Sequence, residues 1–112
     1  MKNFLFVYRS EPNNNQPSPE DMQANMKRWM DWIGNIAAQD KLADSGSSLQ
    51  ASGKVVKQNT MVTDGPYTEI KEVIAGYSIV KAASIEEAVT LAEGCPVFNS
   101  GGNVEVREIN MM

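Results

Sequence analysis

Residues 3–9 constrain the fold most, because apolar side chains occupy both alternation sets of this short segment. One set holds Phe4, Phe6 and Tyr8, and the other holds Leu5 and Val7. Successive side chains of a strand point to opposite faces of its sheet, so a strand with this pattern has to be covered on both faces. The segment therefore predicts a central strand of a layered domain.

A capped helix follows the polar loop at residues 10–18. Ser18 can accept a hydrogen bond from the helix N-terminus, Pro19 fits the first turn, and the two acids that follow favour the positive end of the helix dipole. Apolar residues then recur at helical spacing: Met22, Met26, Trp29, Ile33 and Ile36. This stripe predicts one buried face on a helix that ends at about residues 39–42, with Trp32 on its flank, available for a dimer contact.

Short strand and helix patterns alternate in the rest of the chain. Residues 43–53 are rich in Ser and Gly and indicate a connector. Strand patterns follow at 54–56, 61–63, 73–81 and 103–109, and Gly76 indicates a bulge or a close approach by another group. Ser84 begins a capping-box helix that Gly94 ends. This order predicts an α+β, ferredoxin-like βαββαβ domain with an extra hairpin in the middle.

The predicted helices cover only one face of the sheet. Apolar side chains on the other face need a cover, because monomers rarely expose a large apolar face. A second copy related by two-fold symmetry is the simplest cover. We therefore expect a single domain over residues 1–112 that forms a homodimer.

Composition argues against several classes of function. The net charge of -4 at pH 7 disfavours binding to nucleic acid, which needs clustered Lys and Arg. The N-terminal apolar run is too short for a signal peptide, and no run approaches membrane-spanning length, so we expect a cytoplasmic protein that binds no membrane. The chain has no histidine and one cysteine, which excludes an intrachain disulfide and the usual zinc sites. Without a histidine to activate it, Cys95 is expected to be a packed residue rather than a nucleophile.

The segment DGPYTEIKE at residues 64–72 is the densest polar part of the chain. If it is extended after residue 68, Glu69 and Lys71 share one face and Glu72 lies on the other. A carboxylate in a desolvated cleft can serve as a general acid or base. The same residues also fit a rigid Asp-Gly-Pro turn followed by solvated ion pairs. Residue types alone leave both interpretations open.

This segment resembles the Asp-Gly-Pro-Phe (DGPF) signature of the YCII-related family, with Tyr67 in place of the usual Phe. The similarity continues in order through residues 75–77, 84–88, 95–96 and 104–107. It implies a dimeric ferredoxin-like α/β barrel with a cleft near the signature, a fold shared with small monooxygenases, isomerases and dehalogenase-like proteins. The His and Asp pair proposed for the better-studied branch, and the proximal ligand of haem-binding relatives, cannot exist in a chain without histidine.

Carried over to this sequence, the resemblance implies a cleft that binds a small molecule. Asp64 or Glu72 is the predicted base, and Lys71 is the predicted electrostatic stabiliser. Glu105 and Arg107 alternate with Val104 and Val106, so they are expected on the face opposite the helices, either near the ligand or in a cross-strand ion pair within the dimer. The predicted ligand-binding residues are Tyr67, Glu69, Glu105 and Arg107, with packing of the turn as the other role of Tyr67.

Two functions remain open at this point. The first is cofactor-free acid–base catalysis on a small organic substrate, since the sequence carries no cofactor fingerprint and no metal-ligand spacing. The alternative is a non-catalytic ligand-binding or regulatory module that acts with a protein partner such as a sigma factor, which some family members accompany. An enclosed cavity with convergent polar groups favours the first function, and a filled interior with an exposed apolar patch favours the second.

Overall fold

A computed structural model describes residues 1–10, 18–58, 61–65 and 73–111, with the backbone alone for 61–65. Four strands form one antiparallel sheet in the order β2-β5-β1-β6, and the hairpin β3-β4 forms a second sheet. The elements in chain order are β1 Lys2–Ser10, α1 Pro19–Ala38, β2 Leu42–Ser48, β3 Gly53–Lys57, β4 Met61–Gly65, β5 Val73–Ala82, α2 Ile85–Ala92, a 3-10 turn Pro96–Ser100 and β6 Asn103–Glu108. This is the predicted ferredoxin-like α+β arrangement with its extra hairpin.

Both helices begin where the sequence predicts. The hydroxyl of Ser18 accepts a 3.1 Å hydrogen bond from the backbone N–H of Asp21, and Ser84 accepts one of 3.2 Å from Glu87. Each cap satisfies a helix N–H that has no partner within its own helix. In the described part of the chain, no helix is both long and apolar enough to cross a membrane.

The core lies between the two helices and one face of the sheet. Phe4, Phe6 and Tyr8 of β1 are buried there with residues of both helices, Trp32 and Ile36 from α1 and Ala88 and Ala92 from α2. The alternate residues Leu5 and Val7 face the other way and are only half-buried in the single chain. The two-sided pattern of residues 3–9 thus corresponds to one face covered by helices and one open face.

The predicted connector at residues 43–53 is wrong for its first part, because Leu42–Ser48 is β2, an edge strand paired with β5. Its small residues gave no strand pattern, but backbone hydrogen bonding to β5 does not need large side chains. Gly46 has φ of +74°, and the register shifts between Asp44 and Ser47. Gly76 on β5 fulfils both expectations for it: the β1–β5 register shifts beside it, and a Cβ there would lie 2.7 Å from the carbonyl oxygen of Ser47.

The single buried stripe predicted for α1 is also wrong in part. Trp32 and Ile36 are the buried residues of the helix, whereas Met22 and Met26 are 58% and 64% exposed. Trp32 is not a flank residue available for a dimer contact, because its indole N–H donates a 3.0 Å hydrogen bond to the carbonyl of Leu91 in α2. The C-terminal half of α1 therefore packs into the core, and its N-terminal half borders open space.

Candidate functional site

A cleft of about 960 Å³ lies between the N-terminal half of α1 and the helix-facing side of the sheet. It forms because the buried residues of α1 are Trp32 and Ile36, in the C-terminal half of the helix. The first turns of the helix therefore border open space above the sheet. Its walls come from α1, β1, β2, β5 and the 3-10 turn. The cleft therefore lies on the same side of the sheet as the core and continues from it.

The helix contributes the apolar wall of the cleft. This wall is formed by Met22, Met26, Trp29 and Ile33. Trp29 packs edge-on against Tyr8 with ring centroids 4.8 Å apart, and Trp32 packs edge-on against the same ring at 5.9 Å. Methionine side chains are flexible and polarisable, so this wall can adapt to ligands of different shape.

A chain of hydrogen bonds lies at the buried end of the cleft. The phenol of Tyr8 donates to Ser78 Oγ at 2.8 Å, and the hydroxyl of Ser78 donates to the backbone carbonyl of Ser45 at 2.7 Å. Tyr8 is 5% exposed and Ser78 is 1% exposed. Burial raises the pKa of Tyr8 well above its ordinary value, against a smaller opposing effect of its hydrogen bond to Ser78. Tyr8 is consequently a neutral phenol at physiological pH.

Two glycines bring β2 close enough to β5 to complete this chain. A Cβ at Gly46 would overlap the carbonyl oxygen of Tyr77, and one at Gly76 would meet Ser47. The side chain of Asp44 accepts a 2.8 Å hydrogen bond from the N–H of Gly46 and stabilises the bend. The close approach of the strands presents the Ser45 carbonyl to the Ser78 hydroxyl.

Polar groups form the outer rim of the cleft. They come from α1, the strand ends and the 3-10 turn: Ser10, Asp21, Asn25, Arg28, Ser47, Ser48, Asn99 and Ser100. Among the described lining residues, only Asp21 and Arg28 carry a formal charge, and both are exposed. The described interior is thus apolar apart from the neutral hydroxyls of Tyr8 and Ser78, a composition that suits a small organic molecule.

Most of the predicted acid–base segment lies outside the described residues. This applies to Tyr67, Glu69, Lys71 and Glu72. Asp64 lies in β4, where its backbone pairs opposite Lys54, and its side chain is not described. β5 begins directly after this segment, and its residues 75–78 line the cleft. The roles of these five residues stay predictions.

Glu105 and Arg107 lie on β6 opposite Val7 and Leu5, on the open face of the sheet. Glu105 forms an ion pair with Arg9 at 3.4 Å and another with Arg107 at 3.7 Å. Neither residue is among those that line the cleft. Their expected position opposite the helices is confirmed, and their role in ligand binding stays a prediction.

Cys95 is a packed residue, as expected. It is 3% exposed within the core cluster, and burial raises the pKa of its thiol to about 11, opposed by a hydrogen bond to the backbone of Val97. A thiol with this pKa remains protonated at neutral pH and is a poor nucleophile. No group of three or more His, Cys, Asp or Glu residues that could hold a metal ion occurs within the described ranges.

The sequence analysis missed Tyr8 and Ser78 as site residues. Both lie on the alternation set that also carries Phe4, Phe6 and Val80. A hydroxyl on a strand position that points into the core needs a hydrogen-bond partner. Hydroxyl residues among apolar core positions were the signal in the sequence that could have identified this pair. Their partner could not be identified in the same way, because the carbonyl of Ser45 lies 33 residues away from Ser78 in the chain.

Comparisons with known proteins place the chain in a family. A solved structure of 5-chloro-2-hydroxyhydroquinone dehydrochlorinase from Burkholderia phenoliruptrix, in complex with 2,5-dihydroxybenzoquinone, is 18% identical, with a TM-score of 0.49 over 98% of this chain and 95% of that one. No curated protein matches this chain significantly. The family model of the YCII-related domain matches residues 2–112. The chain therefore belongs to the YCII-related domain family.

Proposed function

We propose that this protein binds a small organic molecule in the cleft between α1 and the sheet and transforms it by proton transfer without a cofactor. The observation that carries the proposal is the neutral, buried Tyr8–Ser78 pair at the end of an apolar cleft of about 960 Å³. Ligand sites of proteins are typically concave and mostly apolar, with a few polar groups that fix the orientation of the ligand. This cleft has each of those properties.

The catalytic part of the proposal depends on the polar segment that precedes β5. Asp64 or Glu72 removes the proton, and Lys71 stabilises the negative charge that develops on the substrate. Glu69 and Tyr67 complete the ligand contacts. Support comes from the family signature in the sequence and from β5, which follows the segment and contributes residues 75–78 to the cleft.

The proposed assembly is a homodimer that buries the open face of the sheet. Leu5 and Val7 on β1 and Tyr77 and Ile79 on β5 are half-buried there in a single chain. A second copy would remove this apolar surface from water, which favours association. Sedimentation is expected to show a dimer that Val7→Asp dissociates, and a wild-type monomer at high concentration would contradict this part of the proposal.

Two methionines on α1 provide a matched test of the cleft. Met26 lines it and Met30 does not, although the two are similarly exposed, at 64% and 68%. A screen of small aromatic compounds by NMR should give binders that shift the amide signals of Gly46 and Gly76. Met26→Ala should weaken these binders several-fold through lost apolar contact, and Met30→Ala should leave their affinity unchanged. Equal effects of the two variants would remove the cleft as the binding site.

A separate pair of variants tests the acid–base residues. Asp64→Asn and Lys71→Met should change the affinity or abolish the turnover of compounds that bind the cleft. If neither variant has any effect while Met26→Ala weakens binding, the cleft is retained and the proton-transfer step is rejected. That result would support the alternative of a ligand-binding or regulatory module. The cleft supports binding of a small molecule under either function, so the effect of these two variants on turnover is what distinguishes catalysis from binding alone.

A further inference from the structure

The hydrogen-bond chain at the buried end of the cleft has a defined direction. A backbone carbonyl can only accept, so the single hydroxyl hydrogen of Ser78 is used toward Ser45, at 2.7 Å. Ser78 Oγ therefore acts as the acceptor for Tyr8, and the phenol of Tyr8 donates its hydrogen to Ser78 Oγ at 2.8 Å. Tyr8 has no second hydrogen. Its oxygen can offer only lone pairs to any further partner.

Packing keeps the Tyr8 side chain in the orientation in which it donates to Ser78. Two indole rings hold its ring edge-on, that of Trp29 at 4.8 Å and that of Trp32 at 5.9 Å between centroids. Rotation of the hydroxyl hydrogen away from Ser78 would leave the buried Ser78 oxygen without its donor, which is costly in a desolvated site. The carbonyl of Ser45 thus orients the hydroxyl hydrogen of Ser78, and Ser78 Oγ in turn orients the hydroxyl hydrogen of Tyr8. Tyr8 is therefore left as an acceptor at the end of the cleft.

We infer that Tyr8 Oη is a hydrogen-bond acceptor for the ligand, and that the cleft selects small apolar or aromatic molecules that carry a hydroxyl or N–H donor over the same molecules with that donor capped. This inference rests on the proposed binding function of the cleft. A capped analogue, such as a methyl ether, would direct its oxygen lone pairs at those of Tyr8. The ligand class is therefore an aromatic or apolar alcohol, phenol or amine.

A single substitution should relax this selectivity. In Ser78→Ala the Tyr8 hydroxyl loses its acceptor, and its hydrogen becomes free to turn into the cleft. Tyr8 can then donate to an ether oxygen as well as accept from a hydroxyl. Tyr8→Phe, which keeps the ring and removes the oxygen, should abolish any preference based on hydrogen bonding.

The test uses 2-naphthol and 2-methoxynaphthalene as probes. Protein is titrated into a fixed low concentration of each probe, and fluorescence anisotropy gives the two dissociation constants. One net hydrogen bond corresponds to a preference of about fivefold for 2-naphthol in the wild type. Ser78→Ala should reduce the preference to about twofold or less, and Tyr8→Phe should reduce it similarly. Ser52→Ala, an exposed serine that does not line the cleft, should keep the wild-type ratio.

The outcomes separate this inference from the function on which it rests. If neither probe binds, or if Met26→Ala leaves binding of both unchanged, the proposed cleft function fails. If both probes bind in a Met26-dependent way with equal affinity, the inference about Tyr8 is wrong. It is also wrong if the preference persists in both Ser78→Ala and Tyr8→Phe. Should Ser78→Ala fail to fold, Tyr8→Phe alone decides, because it changes no core volume except the oxygen.

Discussion

Substitution of Gly46 by alanine should destabilise the protein far more than the same substitution at Gly101. Both glycines have a positive φ, +74° and +76°, which L-residues other than glycine adopt at a cost of about 1–2 kcal/mol. Their surroundings differ. A Cβ at Gly101 would meet nothing within 4 Å, whereas one at Gly46 would overlap the Tyr77 carbonyl oxygen and lie 2.6 Å from its carbon. The pair therefore isolates the effect of strand packing from that of backbone conformation.

The size of the difference follows from what has to move. Tyr77 belongs to β5, which is paired on both sides, with β1 and with β2, so its backbone cannot yield without disturbing both pairings. β2 must move outward instead. That movement stretches the bonds that join Leu49 N to Ala75 O and Ser78 Oγ to Ser45 O, both 2.7 Å long. Two lost hydrogen bonds, at about 1 kcal/mol each, add to the backbone cost of about 1–2 kcal/mol for a positive φ. The total is about 3–4 kcal/mol for Gly46→Ala, against about 1–2 kcal/mol for Gly101→Ala.

Urea unfolding followed by tryptophan fluorescence measures both variants, at one protein concentration because the proposed dimer would make stability concentration-dependent. Gly46→Ala should also weaken ligand binding, since Gly46 lines the cleft and Gly101 does not. Equal losses in the free energy of unfolding for the two variants would refute the conclusion that β2 packs tightly against β5.

Three further substitutions or conditions test other parts of the structure. Gly34→Ala should stabilise the protein by about 1 kcal/mol, because a Cβ in this part of α1 meets nothing within 4 Å and alanine favours helix; a lower thermal midpoint would contradict this. Trp32→Phe should lower the free energy of unfolding by about 1–3 kcal/mol, because the Leu91 carbonyl loses its hydrogen-bond donor. An unchanged free energy of unfolding would show that the indole N–H does not link the two helices. The pKa of the Cys95 thiol rises from 9.0 to about 11 on folding. Between pH 9 and 11 the thiol therefore keeps its proton in the native state and loses it in the unfolded state. The free energy of unfolding should consequently fall as the pH rises through this range. Urea midpoints at pH 8 and 10 measure this fall, which should be smaller in Cys95→Ala; an equal fall in both proteins would contradict the assignment.

Local sequence patterns were sufficient to predict the order of both helices and of the described strands other than β2. The alternation of Phe4 and Phe6 with Leu5 and Val7 identified a central strand, and Ser18 and Ser84 located the starts of both helices. These signals depend on neighbours a few residues apart in the chain, so they can be read without knowing the fold.

The sequence alone also contains the family signature at residues 64–72 and no histidine, and from the signature come the proposed acid–base residues that remain to be tested. Only the tertiary structure decided that Leu42–Ser48 is an edge strand, that Met22 and Met26 border a cleft, and that Ser45 sets the hydrogen bonding of Tyr8. Each of these depends on where α1 lies over the sheet or on backbone pairing between distant segments. Helical spacing defines a face of α1, but the position of the helix over the sheet determines which part of that face is buried and which part borders the cleft.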